Sequence, residues 1–336
     1  MKKLRTTILA AVVVLGLTGA GFVAARAGES PAPIASSDQW NLLRTSGGIL
    51  MDNPFKEDVP AREIQDVYEF NGDTEPSRAY VRATAGGLQV GVNPNPARKD
   101  HSGYFAVTHD AYPETSIFHV RMSKQPGQIS TPGKVGQAVF AVQTASTKIT
   151  GLINFIVLSA DSKDGMTSWR IGYMYGLVRD AKFIGYWGTE PSVDSPDTQD
   201  ITLRTDGRHT LTVWFGKEQV FHSDKLDMDI AAPYQPYLEV QAVETPYMSS
   251  FQDFWVVEDD HLQLTGAPAG AQVALVDDGV VLAKQVAGEG GNATLTLPPY
   301  AAKGNAMLEI TESGREPVRL GSFDYAGGDE FELVTK

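Results

Sequence analysis

The chain has no cysteine in its 336 residues. Disulfides, thiol nucleophiles and cysteine-ligated zinc are therefore excluded, and any core must be held by burial alone. Charged residues make up only 21%, too few for a disordered chain or a long coiled coil. Positive charge is the scarcer sign, with 28 Lys and Arg against 41 Asp and Glu, a formal net charge of −13. Such a surface repels phosphate backbones and anionic lipid, so neither nucleic acid nor a charged bilayer is an expected partner. Sustained helical periodicity is missing; the best helical stretch, residues 60–68, is short. The motifs G-x-S-x-G, H-E-x-x-H and the phosphate-binding P-loop are also absent.

Long apolar runs are absent except at the start. Lys2, Lys3 and Arg5 precede an uncharged stretch over residues 8–25, followed by the small-x-small site Ala25-Arg26-Ala27. This pattern predicts a secretory signal peptide over 1–27, with cleavage before Gly28. The alternative is an uncleaved anchor, because the run reaches the lower limit for a bilayer-spanning helix. Cleavage would remove four cations and take the charge from −13 to −17. Residues 28–37, GESPAPIASS, are small, polar and proline-containing and are expected to be a flexible spacer.

Beyond the spacer, 33 glycines and 19 prolines punctuate short runs rich in β-branched and aromatic residues. Residues 87–92, 117–123, 136–144, 152–160, 169–178, 183–187, 210–215, 237–243 and 251–257 all read as strands. Several alternate with period two: Leu211, Val213 and Phe215 oppose Thr210, Thr212 and Trp214, and Phe118, Val120 and Met122 oppose His119, Arg121 and Ser123. Regularly spaced strands without intervening helices indicate a sandwich or a barrel. After Asp259-Asp260 the runs shorten, and Asp278-Gly279 between two valine-rich runs marks a hairpin. The expected class is all-β, with a first domain over 38–258 and a second, smaller all-β domain over 259–336.

Three stretches carry a family resemblance. They are the turn Asp206-Gly207-Arg208-His209 followed by a strand at 211–215, the closing strand Phe251-Gln252-Asp253-Phe254-Trp255-Val256, and GGLQV at 86–90. Together they resemble concanavalin A-like lectin/glucanase (laminin-G-like) jelly-roll domains over roughly residues 37–258. The unit opening with L-x-L-x-G-x-P-x-G at 262–270 resembles an immunoglobulin-like module of bacterial surface proteins. The first resemblance implies a two-sheet antiparallel jelly-roll sandwich, with one concave sheet that binds glycans on its face or at rim loops, or hydrolyses β-glucans there, and the second implies a smaller β-sandwich. The first also implies a structural calcium ion, for which Asn71, Asp73 and Asp253 are the candidates. A second acidic set is Asp194, Asp197 and Asp200. Asp and Asn also form turns by bonding their own backbone, which is the competing reading of both sets.

Glycan recognition needs aromatic faces with polar groups beside them. Trp169, Tyr173, Tyr175, Tyr186, Trp187 and Trp214 supply rings, most of which are expected in the core. Trp214 stands out, because it alternates with the apolar face of its strand. The candidate groove is Asn154, Arg170, Trp187, Trp214, Glu239 and Gln241. No catalytic residue is assigned. The nearest carboxylate series, Glu63, Asp66 and Glu69, has a spacing that puts Asp66 on the opposite strand face from the other two. The six histidines, at 101, 109, 119, 209, 222 and 261, show no ligand spacing. The leading expectation is an exported, non-catalytic carbohydrate-binding or adhesion protein, with polysaccharide as partner and a surface-protein contact through the C-terminal domain. The alternatives are a glycoside hydrolase or lyase, and a structural or protein-binding envelope component.

Overall fold

The strand-like runs become twenty-five strands in the computed structural model, with a single turn of 3-10 helix at Pro299–Ala301 and no α-helix among the described residues. The structure describes residues 32–53, 66–70, 79–84, 87–93, 102–107, 112–124, 135–144, 153–163, 166–176, 182–188, 196–205, 208–226, 230, 232–243 and 246–336. Pro33–Lys336 form one compact unit, built of two sandwiches.

The larger sandwich is a jelly-roll of two antiparallel sheets. Its seven-stranded sheet runs β12 (Lys182–Gly188), β11 (Met166–Gly176), β10 (Ile153–Lys163), β9 (Val135–Thr144), β16 (Tyr234–Val243), β7 (Ser102–Val107), β4 (Asp66–Phe70). The other sheet runs β15 (Glu218–Ser223), β14 (Leu211–Phe215), β13 (Thr198–Arg204), β8 (Ile117–Lys124), β17 (Tyr247–Val257), β6 (Gly87–Val92), β5 (Ala79–Thr84). A further strand, β3 (Ile49–Asn53), pairs with the end of β17. The late strands β16 and β17 sit in the middle of the two sheets, each between strands from the first half of the chain.

Alternation fills the space between the sheets. Phe118, Val120, Met122, Ile201, Leu203, Leu211 and Val213 of one sheet meet Ala138, Phe140, Val142, Trp169, Ile171, Leu238 and Val240 of the other. Trp169 meets Phe215 across the gap at 5.9 Å and 66°, and its indole Nε1 donates to Pro196 O at 2.9 Å. Phe140 and Phe254 pack edge-on at 5.9 Å and 80°, a geometry that adds about 0.5–1.5 kcal/mol to burial. Strand β17 breaks the period of two to achieve this. Gln252 pairs with Arg121 and Trp255 with His119, so Asp253 and Phe254 together oppose Val120. Asp253 takes the left-handed conformation, φ 48°, and this bulge lets Phe251 and Phe254, three residues apart, both reach the core.

The smaller sandwich recruits the other end of the chain. One sheet runs β1 (Ala35–Ser36), β2 (Trp40–Ser46), β25 (Glu330–Thr335), β18 (His261–Thr265), β21 (Ala293–Thr296), with β18 and β25 parallel. The other runs β20 (Val280–Val286), β19 (Gln272–Asp277), β22 (Lys303–Thr311), β23 (Val318–Arg319), with β24 (Phe323–Ala326) also on β22. This corrects the domain boundaries expected from sequence. Residues 40–46 do not open the larger sandwich: Leu42 pairs with Leu333, and Trp40 and Leu42 are buried in the smaller core. The 34–36 part of the expected spacer is likewise ordered, with Ile34 N bonded to Leu42 O and Ala35 buried. The described residues enter in the second sandwich, cross at Gly47-Gly48, build the first, and return.

The second sandwich packs against one end of the outer face of the eight-stranded sheet, while Arg121 and Asp200 on the same face stay 46% and 45% exposed. Ile117, Trp255 and Val257 from that face are buried with Ala302 and Ala326. Arg204 Nη1 meets Asp260 Oδ2 at 2.5 Å, and Lys303 Nζ meets Asp52 Oδ1 at 3.1 Å. In the same row, His119 stacks on Trp255 at 4.6 Å and 9°, with its Nδ1 2.9 Å from Thr202 Oγ1. Burial, then Lys303 and Arg121, hold its pKa down from 6.5 to about 3. The unfolded chain therefore takes up a proton near pH 6.5 that the fold accepts only near pH 3. The stability His119 contributes is full above pH 6.5 and is lost as the pH falls through that window, at up to about 1.4 kcal/mol per unit. Urea denaturation at pH 7 and pH 5 should show a loss in wild type that His119→Gln does not share. Equal losses in both proteins would reject this assignment.

Candidate functional site

The seven-stranded sheet has an outer face turned away from the core it shares with the other sheet. Register defines what it carries. Core-side positions are those of Phe140, Val240 and Ile171; the opposite parity holds Glu239, Gln241 and Arg170. One row across this face is Phe105, Glu239, Val139, Ser159, Arg170, Gly188. The next is Gly103, Gln241, Gln137, Asp161, Ser168. At about 4.8 Å per strand, Glu239 and Arg170 stand roughly 14 Å apart, a span suited to two or three sugar rings.

Access to this face is uneven. Val139 and Ala141 are buried despite their outward parity, and Glu239 is only 6% exposed. Toward the other edge Arg170 is half-buried, its Nε donating to Ser168 Oγ at 2.8 Å, and Gly188 is exposed. The surface is thus closed over Glu239 and open near β12. A carboxylate held at such depth is costly to bury unless polar groups meet it.

The six groove candidates do not share one surface. Arg170, Glu239 and Gln241 lie on the face just described. Asn154 pairs with Tyr175, which has the strand parity of Trp169, and Trp187 pairs with Ile171; both occupy core-side positions. Trp214 belongs to the other sheet altogether. It pairs with Thr202 in the row that continues to His119 and Trp255 and is 8% exposed. Period-two reading separates the two faces of a strand but does not say which sheet the strand joins.

The expected calcium ligands are not brought together among the described residues. Asn71 and Asp73 lie outside them, and Asp253 is exposed at the bulge, where its left-handed backbone serves the strand. Of the second acidic set, Asp194 is outside the described residues. Asp197 pairs with Lys124 at 3.0 Å, and Asp200 faces Arg121 at 3.7 Å. Glu63 is also undescribed. Asp66 pairs with Val107 and Glu69 with Tyr104, three register positions apart on β4.

Glu239 has no carboxylate among its direct neighbours by register: Val139 and Phe105 flank it across the sheet, Tyr237 and Gln241 along the strand. Asp161 and Asp66 share its face but stand two strands away. A cross-strand pair at the 5–5.5 Å of a retaining glycosidase is therefore not formed by Glu239 within the regular sheet.

One group of side chains went unread as a unit in the sequence. Asp259, Asp260 and His261 bring a donor atom each to within 4.8 Å of one another at the joint between the sandwiches. Their adjacency in the chain was the available signal.

No family model matches the chain, and no curated protein does. Several solved structures resemble it. A laminarinase from Flavobacterium sp. UMI-01 is 11% identical, covering 62% of this chain and 99% of its own, with a TM-score of 0.44. A pseudo β-1,3-glucanase of Mycobacterium tuberculosis is 12% identical, covering 63% and 100%, at 0.41. A protein of unknown function with a galectin-like fold from Bacillus subtilis is 13% identical, covering 64% and 98%, at 0.41. Likeness at this level says nothing of substrate or activity, and the sandwich assignment rests on the strand order itself.

Proposed function

We propose that this is an exported carbohydrate-binding protein whose glycan site lies on the outer face of the seven-stranded sheet, between Glu239 and Arg170. The observation that carries it is the deeply set Glu239 on an outward position, in the register row that ends at Arg170, with Gln137 and Ser168 in the row beside it. A carboxylate and a guanidinium accept and donate to sugar hydroxyls, and the half-open edge by β12 admits a chain end. Export rests on the N-terminal segment read above, which lies outside the described residues; among those described, no helix is long and apolar enough to cross a membrane. The second sandwich, seated on the opposite face, is a spacer or surface-protein contact in this reading.

The test is affinity electrophoresis against a panel of soluble polysaccharides, with reducing-end release measured in the same samples. Binding to at least one should weaken about tenfold or more, equivalent to roughly 1.4 kcal/mol, in Glu239→Gln and in Arg170→Ala, with melting profiles kept. Binding that neither substitution weakens would remove the site. Reducing-end release abolished by Glu239→Gln would instead assign hydrolysis to the same face, with Asp161 the next residue to replace.

A further inference from the structure

The strand entering the second sandwich starts from a bend, and the bend gathers three consecutive side chains. On a regular strand Asp259 and His261 would project to one face and Asp260 to the other. Here β17 ends at Val257 and β18 begins at His261, and the irregular backbone between them lets all three donors converge. His261 Nδ1 lies 2.8 Å from Asp260 Oδ1 and 3.8 Å from Asp259 Oδ1. Asp260 is 5% exposed, and its Oδ1 is buried without a hydrogen bond. The imidazole nitrogen is near enough to donate to it but is not aimed at it. Two such atoms, close yet misaligned for a shared proton, are placed as joint ligands of a third.

We propose that Asp259, Asp260 and His261 form a site for a borderline divalent cation of the zinc type. In a tetrahedral zinc site with bonds near 2.0–2.1 Å, ligand atoms stand roughly 3.3–3.4 Å apart; the two distances to Nδ1, 2.8 and 3.8 Å, bracket that edge. One nitrogen with two carboxylate oxygens suits zinc, whereas calcium takes six to eight oxygens. The backbone holds the donors in place before an ion arrives. His261 N donates to Asp259 Oδ1 at 2.7 Å, Leu297 N to Asp260 O at 2.7 Å, and Gly328 N to His261 O at 2.7 Å. Arg204 grips the other Asp260 oxygen and orients the carboxylate as an outer-shell partner does. Two carboxylates against one guanidinium still leave a net negative charge. The side chains of His261 and Asp259 are 38% and 30% exposed, so an ion reaches them from solvent and water completes the coordination. The bound ion would tie the bend to the first strand of the second sandwich.

The same atoms could form an Asp260–His261 ion pair that needs no metal, and the experiment separates the two. The tag-free full chain, stripped with chelator, is titrated with zinc chloride at pH 7.5 by calorimetry and followed by thermal melting. We expect one saturable site, a melting midpoint raised by about 3 °C or more, and affinity at least tenfold weaker in both His261→Gln and Asp259→Asn. Both replaced side chains are partly exposed, and neither substitution strips Arg204 of Asp260. Absence of saturable zinc binding by wild type overturns the site. So does binding that both variants retain, which would place the ion on the scattered histidines. A chelated His261→Gln protein that melts lower, with zinc changing neither protein, assigns the ion pair and also overturns it.

Discussion

Arg204→Ala is expected to destabilise the protein by about 3 kcal/mol, the order seen when one partner of a buried ion pair is removed. The Arg204 and Asp260 side chains are 17% and 8% exposed, and their contact joins the two sandwiches. Removing the guanidinium leaves Asp260 buried with its charge uncompensated from that side, which costs far more than the pair's net attraction supplies. The double variant Arg204→Ala, Asp260→Ala should therefore recover part of the loss, since no stranded charge remains. Urea denaturation monitored by tryptophan fluorescence measures both; Trp255 sits in the same interface. A single variant within 1 kcal/mol of wild type, or a double variant worse than the sum of the two singles, would mean that the contact does not hold the joint.

A second and larger loss is expected from Gly327→Ala. A Cβ on Gly327 would stand 1.8 Å from Asp259 O, and one on Gly48 would stand 2.1 Å from Gly327 O. These are contacts between backbones, and no side chain can swing away to relieve them. The segment is also tied on both sides, with Gly327 N bonded to Ala302 O and Gly328 N to His261 O, each at 2.7 Å. Asp329 closes the same corner, accepting from Gly48 N at 2.7 Å and Ala326 N at 2.9 Å. The substitution must push the sandwiches apart, and a loss above about 4 kcal/mol or an insoluble product is expected. Gly321→Ala is the control: nothing lies within 4 Å of its Cβ, and its effect should stay within about 0.5 kcal/mol. If Gly327→Ala melts like Gly321→Ala, the two sandwiches are not packed as described.

Both predictions concern a joint that the primary sequence shows only as a change of texture near Asp259. A small-residue run such as Gly327-Gly328 reads as a turn, and nothing local tells that it receives the backbone of residues 48 and 259. The candidate binding face was legible in a similar half-measure. Alternation in β16 placed Glu239 and Gln241 opposite Leu238 and Val240, as the structure has them. Trp214 alternated just as clearly, yet its strand lies in the other sheet, where the side chain is buried.

By itself the sequence determined the all-β class, many of the strand-length runs, the inward and outward parity within β8, β14 and β16, and the absence of thiol chemistry. These follow from residues within a few positions of each other: branched and aromatic side chains, turn formers, and period two. Tertiary structure decided which strands are neighbours. Residues 40–46 could have entered either sandwich by their pattern of Trp40 and Leu42; β25, almost at the other end of the chain, claimed them. It also decided that one end of the larger sandwich's eight-stranded sheet is buried against the second sandwich, and that Asp259, Asp260 and His261 converge. Pairing across hundreds of residues depends on the shape and burial of whole sheets, which no local window of side chains encodes.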